Sequence, residues 1–150
     1  MKATPTETRI MNRMKPGVIT LSGFLGSDPR NLFDIIAEDA KTLAFLEKDP
    51  DEIALRMQYF TDISWEASGE EVTVDDIFIV RTDVVRGKLP CPFAHVGIYR
   101  KAITTVFNTR LNIELRWTSL SIHLIKEHGF FEGKGSPFRL DPETLVKTLF

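Results

Sequence analysis

The 150-residue chain carries one cysteine, Cys91, so no disulfide can form within it. A lone thiol fits a reducing compartment, and the expected location is cytoplasmic. No stretch approaches the roughly 20 apolar residues of a helical membrane span, so no membrane association is expected. Residues 1–16 contain no apolar segment of the kind a secretory signal requires. Nine glycines and eight prolines are too few and too scattered for a low-complexity linker, and no internal repeat is visible. The G-x-G-x-x-G fingerprint is absent, although the 23–27 loop lies between a strand candidate and a helix candidate, where a nucleotide would sit.

What remains is a globular composition. Hydrophobic residues make up 43% and charged residues 27%, enough to bury one core of ordinary domain size. The formal net charge of -2 conceals two opposed halves. Residues 28–76 hold 14 Asp and Glu against 4 Lys and Arg, whereas residues 77–150 hold 11 Lys and Arg against 6 acids. Such a separation favours self-association or a partner protein of complementary charge. It argues against a uniformly basic nucleic-acid binder.

Local signals predict an α+β domain. Residues 1–16 are polar and aperiodic, and read as a flexible N-terminal tail or late-docking arm; residues 17–150 read as one domain. Residues 18–21 are a strand candidate. Asp28-Pro29, Asp49-Pro50 and Asp141-Pro142 each place a capping carboxylate before a proline at the first helical position. They predict helices over 29–46, 50–66 and the last turns of the chain, the second reinforced by a capping box with Glu52. Residues 77–85 and 96–107 are rich in β-branched side chains. Leu111, Ile113, Leu115 and Trp117 alternate with polar residues, as on a half-buried strand. Thr118 or Ser119 caps a helix that Gly129 ends. The expected architecture is a largely antiparallel sheet, with two N-terminal helices on one face and C-terminal helices closing it.

All the Cys and His residues of the chain fall between positions 91 and 128. They form two pairs, Cys91 with His95 on a proline-rich turn and His123 with His128 at a helix end. Zinc takes nitrogen and sulfur ligands in a tetrahedron, often two from a turn and two from a helix. Cys91, His95, His123 and His128 are therefore candidate ligands of a structural zinc. Leu120, His123, His128 and Gly129 locally resemble the helix end of a two-Cys, two-His zinc finger, with a His in place of one Cys and 27 residues between the pairs. On an ideal helix, residues five apart point about 140° from one another, so the two imidazoles converge only if the last turn tightens or frays. The same residues admit a nucleophilic reading, with a Cys91 thiolate and His95 or His123 as base.

Two further features suggest ligands. Gly133, Lys134, Gly135, Ser136 and Arg139 combine free backbone amides, a hydroxyl and two cations, so Lys134, Ser136 and Arg139 are candidate anion-binding residues. Arg81, Arg86, Lys88, Arg100, Lys101, Arg110 and Arg116 concentrate positive charge near Tyr99, Phe107 and Trp117, a pattern that suits single-stranded nucleic acid when the aromatics are exposed. Trp117 and Phe107 fall on the apolar side of their strands, which favours core. The leading expectation is a cytoplasmic binding or interaction protein with a structural zinc. The alternatives are a small enzyme acting on a phosphate or carboxylate ligand, and a nucleic-acid-binding protein using the basic strands.

Overall fold

Helix α3 (Pro50–Trp65) begins where the sequence says it must: the Asp49 carboxylate accepts the Glu52 amide at 2.9 Å and Pro50 opens the first turn. Its inner stripe of Ile53, Met57, Phe60 and Ser64 is buried against a sheet in this computed structural model, which describes residues 4–94 and 96–150. The sheet is an antiparallel meander of β1 (Val72–Val74), β2 (Phe78–Pro90), β3 (Ile98–Asn108) and β4 (Ile113–Thr118), in that spatial order. Helix α4 (Ser119–His128) follows β4 directly, and α3 and α4 pack on the sheet and on each other. Helix α5 (Pro142–Leu149), capped by Asp141 as expected, packs against α3 and against α2 (Leu32–Phe45). The protein is thus an α+β domain, and no helix among the described residues is long and apolar enough to cross a membrane.

The core has two parts. The larger joins α3, α5 and the sheet around Phe60, Trp117, Val80 and Leu145. Within it runs a chain of hydroxyls. The Trp117 indole donates to Thr61 Oγ1 at 2.9 Å, Thr61 meets Thr104 at 2.8 Å, Thr104 meets Thr82 at 2.9 Å, and Thr82 meets Ser64 at 2.5 Å. These contacts satisfy polar atoms that would otherwise be buried at a cost of roughly 1–3 kcal/mol each. The smaller part gathers Ile10, Met14, Phe24, Leu32, Ile35, Cys91, Leu120, Leu124 and Phe130.

Several local expectations are corrected. Within the segment read as a tail, residues 5–13 form helix α1 (Pro5–Arg13), which Thr4 caps at 3.1 Å and whose Ile10 is buried. Arg and Asn on its outer face obscure the pattern, and its docking depends on partners far along the chain. Residues 18–21 form turns and bends, not a strand. Helix α2 begins at Leu32 with Asn31 at the N-cap, three residues later than Asp28-Pro29 suggests. Asp28 is engaged elsewhere, by the Arg30 guanidinium at 2.6 and 2.9 Å and by two backbone amides. In its place the buried Glu7 carboxylate of α1 accepts the Phe33 amide at 3.1 Å, a remote cap on α2. β1 is an addition to the expected elements, being too short to carry a period. Phe107 lies half-buried on the face of β3 opposite Val106 and Asn108.

Candidate metal centre

The ladder between β2 and β3 carries a register shift between Val85 and Lys88, after which Leu89 pairs with Tyr99 and Pro90 with Ile98. A bulge bends the strand and re-aims the residues beyond it. Cys91 therefore leaves the sheet at Pro90 and enters a turn in which the Ala94 amide donates to its carbonyl at 3.1 Å. Helix α1 holds this turn from outside, with Arg13 Nε donating to the Pro92 carbonyl at 2.6 Å. The thiol is buried, 3% exposed.

Helix α4 brings the histidines to it. Thr118 and Ser121 form a reciprocal capping box at its start. At its end Gly129 takes the left-handed conformation, φ +60°, and the Gly129 and Phe130 amides donate to the Ile125 and Leu124 carbonyls, the first of these being the bond of an αL helix cap. The last turn thus stays intact, contrary to the tightening or fraying that the five-residue spacing implies. Even so, the sulfur and one nitrogen from each of His123 and His128 all lie within 4.8 Å of one another. The two imidazoles meet edge to face at 5.3 Å, and Cys91 Sγ is 3.5 Å from His128 Nε2. His95, the remaining candidate ligand, lies outside the described residues.

Each imidazole is oriented by an aromatic neighbour. Phe93 stacks on His128 at 4.0 Å, the planes 6° apart. Tyr99 stacks on His123 at 4.4 Å and its hydroxyl meets His123 Nδ1 at 2.9 Å. Burial, with Cys91 and Glu127 adding to it, raises the Tyr99 pKa above its ordinary value, so the phenol stays protonated. An oxygen on Nδ1 suits a ring that ligates through Nε2. Tyr99 is the site residue that sequence reasoning missed in this role. Only the strand register, which places it opposite Leu89, could have revealed it.

The glycine-rich loop lies elsewhere. It packs backbone to backbone against the 23–27 loop: the Gly133 amide donates to the Phe24 carbonyl at 2.8 Å and the Ser27 amide to the Lys134 carbonyl at 3.1 Å. The Lys134 amide donates to Asp28 at 3.2 Å, so the group it holds is a carboxylate of this chain. The Arg30 guanidinium holds the Asp28 carboxyl well below its usual range. Arg139 grips Asp39 with two bonds of 2.6 and 3.0 Å and donates to the Glu132 carbonyl at 2.8 Å. Ser136 donates to Glu132 Oε1 at 2.5 Å. The Lys134 amide, the Ser136 hydroxyl and the Arg139 guanidinium are therefore each engaged within the fold. Two basic strand residues likewise lie over aromatics of the chain, Arg100 over Trp65 at 5.9 Å and Arg116 over Phe138 at 5.3 Å, while Trp117 is fully buried.

Glu132, beside this loop, is a buried carboxyl. Desolvation pushes its pKa up to about 7, against the weaker pull of Ser136 and Arg139. No family model, no curated protein and no solved structure matches this chain.

Proposed function

We propose that the chain is a metal-binding domain in which zinc, held by Cys91, His123 and His128, ties the turn after β2 to the end of α4. The observation that carries this reading is a distance. With Zn–S of about 2.3 Å and Zn–N of about 2.05 Å, tetrahedral geometry puts sulfur and nitrogen roughly 3.6 Å apart. Cys91 Sγ and His128 Nε2 are 3.5 Å apart. The donor set is mixed nitrogen and sulfur, which suits zinc better than calcium or magnesium. The Tyr99 hydroxyl on His123 Nδ1 supports it further, because ligating imidazoles are commonly held at the other ring nitrogen. The role is a binding one, with the metal a clamp between elements distant in sequence.

Elemental analysis of protein purified without added metal, with a chelated control, tests this. About one zinc per chain, lost with chelator and lowered in Cys91→Ser and His128→Ala, is the expected result. Metal-free protein that takes up no zinc on titration overturns the proposal.

A further inference from the structure

A second place in the fold has the form of a ligand site. A cavity of about 240 Å³ opens between the 20–24 segment, the end of β2, the start of α4 and residues 137–138. Its walls include Leu21, Phe24, Leu89, Leu120 and Phe138. An apolar cavity of roughly 150 Å³ accepts benzene, so this one takes a molecule of roughly ten non-hydrogen atoms. Glu132 is the charged residue of the lining among the described residues, and it is only 5% exposed. Its Oε1 is held by Ser136, while no described residue donates a hydrogen bond to its Oε2. The backbone of Glu132 is itself strained, at φ +67°, and is held there by Arg139 donating to its carbonyl. Strain retained in a non-glycine residue beside a cavity is a mark of function more than of folding.

We propose that this cavity binds a small, largely apolar organic amine, whose ammonium group pairs with Glu132. An acid in an apolar wall disfavours anions. A neutral molecule would gain the walls but leave the carboxyl without a charge partner. A cation recovers the cost of ionising a buried carboxyl. The charged groups around Glu132 oppose this little: Arg139 is paired to Asp39, and Arg116 lies over Phe138. Because burial keeps much of Glu132 protonated near neutrality, binding of the ammonium form releases the carboxyl proton to solvent. The amine keeps its own proton.

Three probes of one size separate the possibilities: benzylamine, benzyl alcohol and benzoate, titrated calorimetrically into the whole chain. Benzylamine should bind at least tenfold more tightly than benzyl alcohol at pH 7.5. Its affinity should fall by up to tenfold per pH unit below about 7, as the proton to be displaced is held more firmly. Glu132→Gln should reduce benzylamine to the level of the alcohol and abolish the pH dependence. Leu21, at the mouth and 89% exposed, gives a variant that does not disturb the core: Leu21→Arg should weaken benzylamine and strengthen benzoate. Benzylamine binding no tighter than the alcohol, benzoate binding best, or an unchanged benzylamine affinity in Leu21→Arg would each overturn the proposal.

Discussion

Arg139 and Asp39, a hundred positions apart in the chain, form a two-bonded ion pair at 2.6 and 3.0 Å that is almost closed to solvent. It joins the acidic first half of the sequence to the basic second half, and it fastens the segment before α5 to α2.

Breaking this pair from one side leaves a buried charge. Arg139→Ala should therefore lower stability by about 3 kcal/mol, as should Asp39→Ala. Replacing both with apolar residues, Arg139→Met with Asp39→Leu, should recover most of that loss. Urea denaturation of the single and double variants checks it, and additive losses would contradict the coupling.

The two glycine-rich loops predict a contrast among glycines. A Cβ at Gly133 would strike the Leu25 carbonyl, and one at Gly26 the Ser136 and Gly135 backbone, neither of which can move aside. Gly133→Ala should cost more than about 3 kcal/mol, in the range of severe overpacking. Gly17 has a positive φ, +83°, but faces open space, so Gly17→Ala should cost only about 1 kcal/mol. Melting temperatures of the two variants distinguish these outcomes.

Glu132 imposes a pH dependence of unusual sign for a carboxyl. Its folded pKa, about 7, lies above the ordinary 4.5. Between these values the folded chain holds a proton that the unfolded chain has released, so stability falls as pH rises from about 4.5 to about 7 and is flat beyond. The full effect is bounded at roughly 3 kcal/mol. Glu132→Gln should remove this slope, becoming more stable relative to the parent at pH 8 than at pH 5. A parallel pH profile in the variant would show that Glu132 titrates normally. Asp28 acts in the opposite direction: its lowered pKa contributes stability above the usual carboxylate range that is lost as pH falls below it.

Tyr99→Phe tests how the metal ligands are held. The ring should still stack on His123 while the hydroxyl contact to Nδ1 is lost. Zinc affinity should drop about 10–100-fold, with little change in the melting temperature of metal-free protein. A zinc affinity equal to the parent's would exclude the phenol as a positioning group.

The helices are largely legible in the sequence because their ends are local events. Asp49 and Asp141 accept amides three residues on, Thr118 caps α4, and Gly129 ends it in the left-handed conformation. The alternation from Ile113 to Trp117 is legible for a similar reason, since a strand's period is read within six residues. Asp28 shows where this logic stops. It stands before a proline just as Asp49 does, yet the neighbouring guanidinium of Arg30 and the distant Lys134 amide take the carboxylate, and Glu7 supplies the cap instead.

The amino-acid sequence by itself determined that Cys91, His123 and His128 belong to a turn and a helix end, and that the flanking segments are a strand and an amphipathic helix. Whether the three side chains meet was decided by tertiary structure alone. It depends on the β-bulge after Val85, on the register that sets Tyr99 against Leu89, and on the packing of α4 over β3. The Glu132 cavity and the Arg139–Asp39 pair have the same origin. Caps and periods are set by interactions over three or four residues, whereas a site is a coincidence of distant segments, fixed only when the core beneath them closes.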